Sequence, residues 1–118
     1  MNFNTTIVFH DLDVSPSLQE DVLRHARKLE RFALQITACH VTLSRAEQRH
    51  HQGNRYLVHA RLTLPGVELE AGKTPSPNSA REDPHRAVTD TFDALRRQLQ
   101  DFVRKRRGRS KAHTLVSN

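Results

Sequence analysis

Apolar and polar positions recur along this chain with two different periods, and the changes of period divide it into six elements. Residues 3–10, Phe-Asn-Thr-Thr-Ile-Val-Phe-His, are rich in β-branched and aromatic types and predict a first strand. After a connector at 11–14, Ser15 and Pro16 open a helix. The serine oxygen can accept from a free backbone N–H, and proline has no N–H to leave unpaired at the first helical position. Ser17 and Glu20 offer a competing capping box two residues later. To about Phe32 the pattern is helical: Leu18, Val22, Ala26, Leu29 and Ala33 fall at spacings of three and four, which puts them on one buried stripe.

The period then changes to two. In 38–47, Cys39, Val41 and Leu43 take one side and Ala38, His40, Thr42 and Ser44 the other. A polar segment, 49–54, contains Gly53-Asn54 and predicts a turn. In 56–64, Val58, Ala60, Leu62 and Leu64 point inward and His59, Arg61 and Thr63 outward. Pro65-Gly66 predicts a tight turn. Val67, Leu69 and Ala71 then face inward on a fourth strand, with Glu68 and Glu70 outward. Residues 73–83 have no apolar period and predict a loop. From about Pro84 to Arg107, Val88, Phe92, Leu95, Leu99 and Phe102 form a second helical stripe, with Gly108 as its expected stop.

The order β-α-β-β-β-α predicts an α+β fold, a four-stranded sheet with the last three strands as an antiparallel meander. Both helices pack on one face. The other face, with His59, Arg61, Glu68 and Glu70, meets solvent. The 118 residues suit one domain, read as 1–107, followed by a basic, disordered tail at 108–118. No apolar run approaches the length that crosses a bilayer, and the N-terminus lacks the pattern of a secretory signal. The single Cys39 fits a reducing cytoplasm.

Charge adds the first functional information. Lys and Arg number 19 against 13 Asp and Glu. Six of the basic residues, Arg104, Lys105, Arg106, Arg107, Arg109 and Lys111, lie within one short segment and equal the formal excess of +6. So localised a basic block implies a polyanionic partner; a solubilising tail is the plain alternative. Arg24, Arg27, Lys28 and Arg31 also recur at helical spacing and form a basic stripe on another face of the first helix. Like charges on one face repel, and a bound phosphate backbone removes that cost. With Arg96, Arg97, Arg104, Lys105, Arg106 and Arg107 on and beyond the second helix, they form a basic wall about 25 Å long or more at 1.5 Å per residue. Arginine outnumbers lysine there, which suits bidentate phosphate contacts. With almost no exposed aromatic platform evident, shape and phosphate recognition fits better than base stacking on a sheet.

Enzymatic chemistry finds little support. The four glycines form no phosphate loop. Cys39 sits on the buried side of its strand, where a thiolate is disfavoured. Glu68 and Glu70 share a strand face but read most simply as its wet side. His40, His50, His51 and His59 lie near one hairpin with Cys39, yet no Cys-x-x-Cys or His-x3-His spacing is present. No metal, cofactor or small-molecule substrate is expected.

Several stretches resemble the ribosome hibernation-promoting factor and ribosome-associated inhibitor family, once called sigma-factor modulation proteins. They are Asp13-Val-Ser-Pro-Ser-Leu18, Arg27-Lys-Leu-Glu-Arg-Phe32, Leu62-Thr-Leu-Pro-Gly66 with the Glu-Leu-Glu that follows, and Ala94-Leu-Arg-Arg-Gln-Leu99. They occur in family order and cover about residues 3–107; the Gln48–Tyr56 insert resembles a longer proteobacterial branch. The resemblance implies the same β-α-β-β-β-α fold, similar in outline to a double-stranded-RNA-binding domain. It implies a monomer bound in the small-subunit channel where messenger and transfer RNAs sit, excluding them during starvation or stationary phase. Family basic positions match His25 and Lys28 on the first helix and Arg97 and Lys105 on the second. Arg24, Arg27, Arg31 and Arg104 extend that set by helical geometry. The chain departs from the family after Asp83, where Pro84 and His85 replace the frequent Met-Tyr or Val-Tyr. Lacking the family's C-terminal dimerisation domain, it reads as a short form. The expected function is translation inhibition by occupancy. A general binder of double-stranded RNA is the first alternative, and a metal-dependent RNA hydrolase using Glu68, Glu70 and the histidines the second.

Overall fold

The computed structural model describes residues 3–33, 35–45, 56–72 and 83–116, with side chains as far as Arg107. Its elements are β1 (Asn4–His10), α1 (Pro16–Leu29), β2 (Ala38–Arg45), β3 (Tyr56–Leu64), β4 (Val67–Ala71) and α2 (Pro84–Val116). The strands form one sheet in the order β1-β2-β3-β4. β2, β3 and β4 pair antiparallel, and β1 joins β2 in parallel, which makes the sheet mixed. Parallel neighbours need a crossover, and α1 supplies it. The fold is the expected α+β one.

Ser15 is the N-cap of α1: its Oγ accepts from the Leu18 N–H at 3.3 Å, and Pro16 takes the first helical position. The first of the two competing starts is therefore used. The helix ends at Leu29 rather than near Phe32, because Glu30, Arg31 and Phe32 donate to the carbonyls three residues back, a tightened final turn. α2 passes through Gly108 to Val116, so the expected stop is not observed. One glycine costs about 1 kcal/mol relative to alanine in a helix, and its Arg, Lys and Ala neighbours favour helix. The predicted turn at 49–54 lies outside the described residues, as does nearly all of the predicted loop at 73–83.

The core lies between the sheet and the two helices. Leu18, Val22, Ala26 and Leu29 of α1 and Val88, Phe92, Leu95 and Leu99 of α2 are buried against Cys39, Val41, Leu43, Val58, Ala60, Leu62 and Leu64. Full burial of each large apolar side chain contributes about 1.5–3 kcal/mol. Burial pushes the Cys39 thiol up to about 12, so it stays protonated and poorly nucleophilic. Two side chains of α2 also latch the helix to strand backbone: Thr91 Oγ1 donates to the Val58 carbonyl (3.2 Å), and Gln98 Nε2 donates to that of Glu70 (2.7 Å).

Candidate nucleic-acid interface

Contacts between the helices advance in the same direction along both. Ser17 and Asp21 meet His85, His25 meets Thr89 and Phe92, and Arg31 shares a groove with Phe102 and Arg106. The helices therefore lie side by side and parallel, and their outer surfaces form one face opposite the open sheet.

The junction is built round Asp21, whose side chain is 5 % exposed. A buried carboxylate needs partners that satisfy both oxygens. Oδ1 accepts from Arg24 Nη2, and Oδ2 pairs with His85 Nδ1 at 3.0 Å. His25 Nε2 lies 3.6 Å from Oδ1. Asp83 caps α2 by accepting from the His85 N–H at 2.9 Å, which sets the imidazole against Asp21. Asp21 is not among the residues that the charge pattern singles out. The signal was available, since Asp21 lies three residues after Leu18 on the buried side, with Arg24 and His25 three and four residues on.

His25 differs from the other candidate RNA contacts. Its side chain is 16 % exposed and its ring stacks on Phe92, with centroids 5.5 Å apart and planes 17° from parallel. Burial holds its pKa below the usual 6.5; Asp21 and Asp93 oppose that shift, while Lys28 and Arg24 reinforce it. The unfolded chain thus binds the proton more readily. Stability from neutral His25 is fully present above pH 6.5 and is lost as pH falls through the lower folded value. Between pH 7.5 and 5.5 the thermal midpoint is expected to fall further in the natural protein than in His25→Phe, which keeps the stack and cannot titrate. Equal falls would mean that His25 does not carry this linkage.

The remaining candidates are exposed, but their charges are not equally free. Arg24 is tied to Asp21. Arg104 and Lys105 both grip Asp101, Lys105 at 3.0 Å, and these bonds hold the Asp101 carboxyl below the usual carboxylate range. Among the described residues, Arg27, Lys28, Arg31, Arg106 and Arg107 have no ion pair. Among the described residues Arg97 donates only to its own helix, at the Asp93 carbonyl. Arg27 and Lys28 also occupy the last turn of α1, where cations favour the helix dipole. That accounts for two basic residues there but not for Arg31, Arg106 and Arg107.

Those three arginines converge. Where the end of α1 meets the second half of α2, a groove of about 630 Å³ opens. Phe32, Ala33, Leu64, Phe102 and Val103 line it with apolar surface, and Arg31, Arg106 and Arg107 stand round it with Glu30 and Gln35. The helical period places Phe102 on the core stripe and carries no mark of this groove, yet Phe32 and Phe102 are both only half-buried.

The open sheet face carries Arg61 3.4 Å from Glu68 and His59 3.7 Å from Glu70. These are diagonal cross-strand neighbours on an antiparallel pair, so Glu68 lies against a guanidinium and Glu70 against an imidazole of the same face. Among the described residues no three His, Cys, Asp or Glu side chains are grouped to hold a metal ion. His50 and His51 lie outside those residues.

The family model described as sigma 54 modulation protein / S30EA ribosomal protein matches residues 5–107. The chain belongs to this family. It is a family of ribosome-binding modulation factors rather than of enzymes. A curated relative, the ribosome hibernation promoting factor of Acinetobacter guillouiae, is 29 % identical over 98 residues, covering 80 % of this chain and 81 % of that protein. Two solved structures share the fold. A ribosomal subunit interface protein from Coxiella burnetii superposes with a TM-score of 0.62 at 18 % identity, over 90 % of this chain and 99 % of that one. The N-terminal domain of Protein Y from Thermus thermophilus gives 0.62 at 20 % identity, over 86 % and 99 %. His85 joins the start of α2 to buried Asp21 on α1.

Proposed function

We propose that the protein binds ribosomal RNA of the small subunit through the basic face of its parallel helices and holds the ribosome inactive. It does so in the cytoplasm, as a monomer and stoichiometrically, by occupying the space that messenger and transfer RNAs need. The observation that carries this reading is a set of cations on one face that have no ion pair among the described residues: Arg27 and Lys28 in the last turn of α1 and Arg31 just beyond it, with Arg106 and Arg107 across the groove on α2. Arg97 extends the face. Arg24, Arg104 and Lys105 contribute donors whose charge is partly balanced by Asp21 and Asp101. His25 supports the face from beneath by holding α2 against α1. Family membership and the hibernation-factor relative favour a ribosomal target over arbitrary duplex RNA.

Each cation that neutralises a phosphate releases a counterion. With about five such contacts, affinity is expected to fall by about two orders of magnitude or more between 50 and 200 mM salt. Co-sedimentation with purified small subunits across that range measures it. Near-stoichiometric pelleting at low salt, prevented by prebound messenger and transfer RNA, supports occupancy of their site. Pelleting that ignores those RNAs would move the site elsewhere. Equal affinity for a plain RNA duplex would favour the general double-stranded-RNA binder.

A further inference from the structure

The groove between the end of α1 and the second half of α2 combines two surfaces that the proposed phosphate binding does not require together. Its floor is apolar and partly aromatic, with Phe32 and Phe102 half-buried in it. Its rim is mainly cationic, with Arg31 beside Glu30 just after α1 and Arg106 and Arg107 on α2. The Arg106 guanidinium already lies over the Phe102 ring, 6.0 Å from its centroid. A guanidinium above an aromatic floor is half of a stacking site for a third flat group.

A phosphate alone gains nothing from Phe32 and Phe102, and an apolar group alone gains nothing from three arginines. The occupant that uses both is flat, unsaturated and anionic. The groove's volume, about 630 Å³, is within the usual range of small-molecule sites. It also continues directly from the exposed cations Arg27 and Lys28, so an RNA backbone following α1 reaches the rim at Arg31. We infer that the groove takes one unpaired nucleotide of the bound RNA, its base against Phe102 and Phe32 and its phosphates on Arg31 and Arg107. The inference rests on the RNA-binding reading of the helix face and adds a single-nucleotide subsite to it. It also changes the expected mode of recognition: base stacking enters on the helix side, while the described residues of the open sheet face include no Phe or Tyr.

The test uses the whole chain and a short single-stranded RNA oligomer carrying one 2-aminopurine, a base whose fluorescence is quenched on stacking. The oligomer is expected to bind with quenching, and its counterpart with an abasic site at that position to bind about tenfold more weakly, as loss of one stacked base predicts. Phe102→Leu, which keeps the apolar packing and removes the ring, is expected to abolish the quench and the preference for the base. Arg31→Gln with Arg107→Gln lies outside the core, and is expected to weaken both oligomers alike. Binding that is indifferent to the base, or a quench unchanged in Phe102→Leu, overturns the inference. So does the absence of oligomer binding at low salt, or displacement of the oligomer's base from the groove by an acidic phenylalanine peptide that binds more tightly. Co-sedimentation with small subunits is measured separately. Retained pelleting with no base effect removes the subsite alone; loss of pelleting with a base effect removes the ribosomal reading alone.

Discussion

Reversing two charges at the end of α1, Arg27→Glu with Lys28→Glu, is expected to lower affinity for the small subunit by a hundredfold or more while leaving the domain folded. Both side chains are exposed, and neither forms an ion pair among the described residues, so no buried partner is orphaned. A charge-assisted hydrogen bond contributes about 1.5–3 kcal/mol. Losing two therefore costs about 3 kcal/mol or more, which is about two orders of magnitude in Kd. Repulsion between the new carboxylates and phosphate adds to the loss. The fold is affected less: two cations leave the last turn of α1, at about 0.3–1 kcal/mol each, and two anions take their place at similar cost. Arg61→Glu on the open sheet face is the control, because it reverses a charge away from the helices, with half the change in net charge of the double variant. Sedimentation binding and a urea titration on each variant separate the effects. An equal loss of affinity for Arg61→Glu would show that net charge, not the helix face, drives binding. Normal binding by the double variant would remove α1 from the interface.

The elements were legible because most of them have one wet and one dry face. The strand alternation of Cys39, Val41 and Leu43, and of Val58 to Leu64, carries over directly to burial, and so do the stripes of α1 and α2 except at their ends, where Ala33 and Phe102 are only half-buried. Boundaries were less legible where local bonding competes with period. The extra i to i−3 bonds after Leu29 and the helix through Gly108 leave no mark on an apolar pattern. Parallel pairing of β1 with β2 is also invisible to alternation, which specifies faces and not neighbours. At the candidate interface, the sequence located the cations but not their balance. Arg24 and Arg27 look alike at helical spacing, yet only Arg24 meets a buried carboxylate. His25 looks like a surface base and is instead clasped between helices, because its partners Thr89 and Phe92 lie more than sixty residues away. The groove depends on two helix ends meeting, which no local pattern records.

Gly72→Ala is expected to be strongly destabilising, far more so than Gly66→Ala, and the second variant is the measurement that explains why. Both glycines adopt left-handed backbone, with φ of +78 and +79. That conformation alone costs a non-glycine residue about 1–2 kcal/mol. At Gly66, on the hairpin between β3 and β4, a Cβ meets nothing within 4 Å, so only the backbone cost applies. At Gly72 the same atom would overlap the Val58 carbonyl oxygen and stand 3.3 Å from the His59 Cα. These are strand backbone atoms held by pairing to β2 and cannot swing aside like the end of a side chain. The Val58 oxygen is also the acceptor for Thr91, so displacing it loosens the latch of α2 on the sheet. The total is expected to reach about 3–5 kcal/mol, a large share of the 5–15 kcal/mol that holds an ordinary domain together. In urea unfolding, Gly66→Ala should lower the midpoint modestly, and Gly72→Ala should lower it several times as far or leave the chain unfolded in water. Equal shifts for the two would mean that the backbone conformation accounts for the whole effect and that β3 and β4 can part at Gly72 without cost. The contrast matters for function because α2 carries half of the proposed RNA face: a sheet that yields at Val58 moves Arg106 and Arg107 relative to Arg31. A Gly72→Ala protein that still folds is therefore expected to lose subunit affinity as well, whereas Gly66→Ala keeps it.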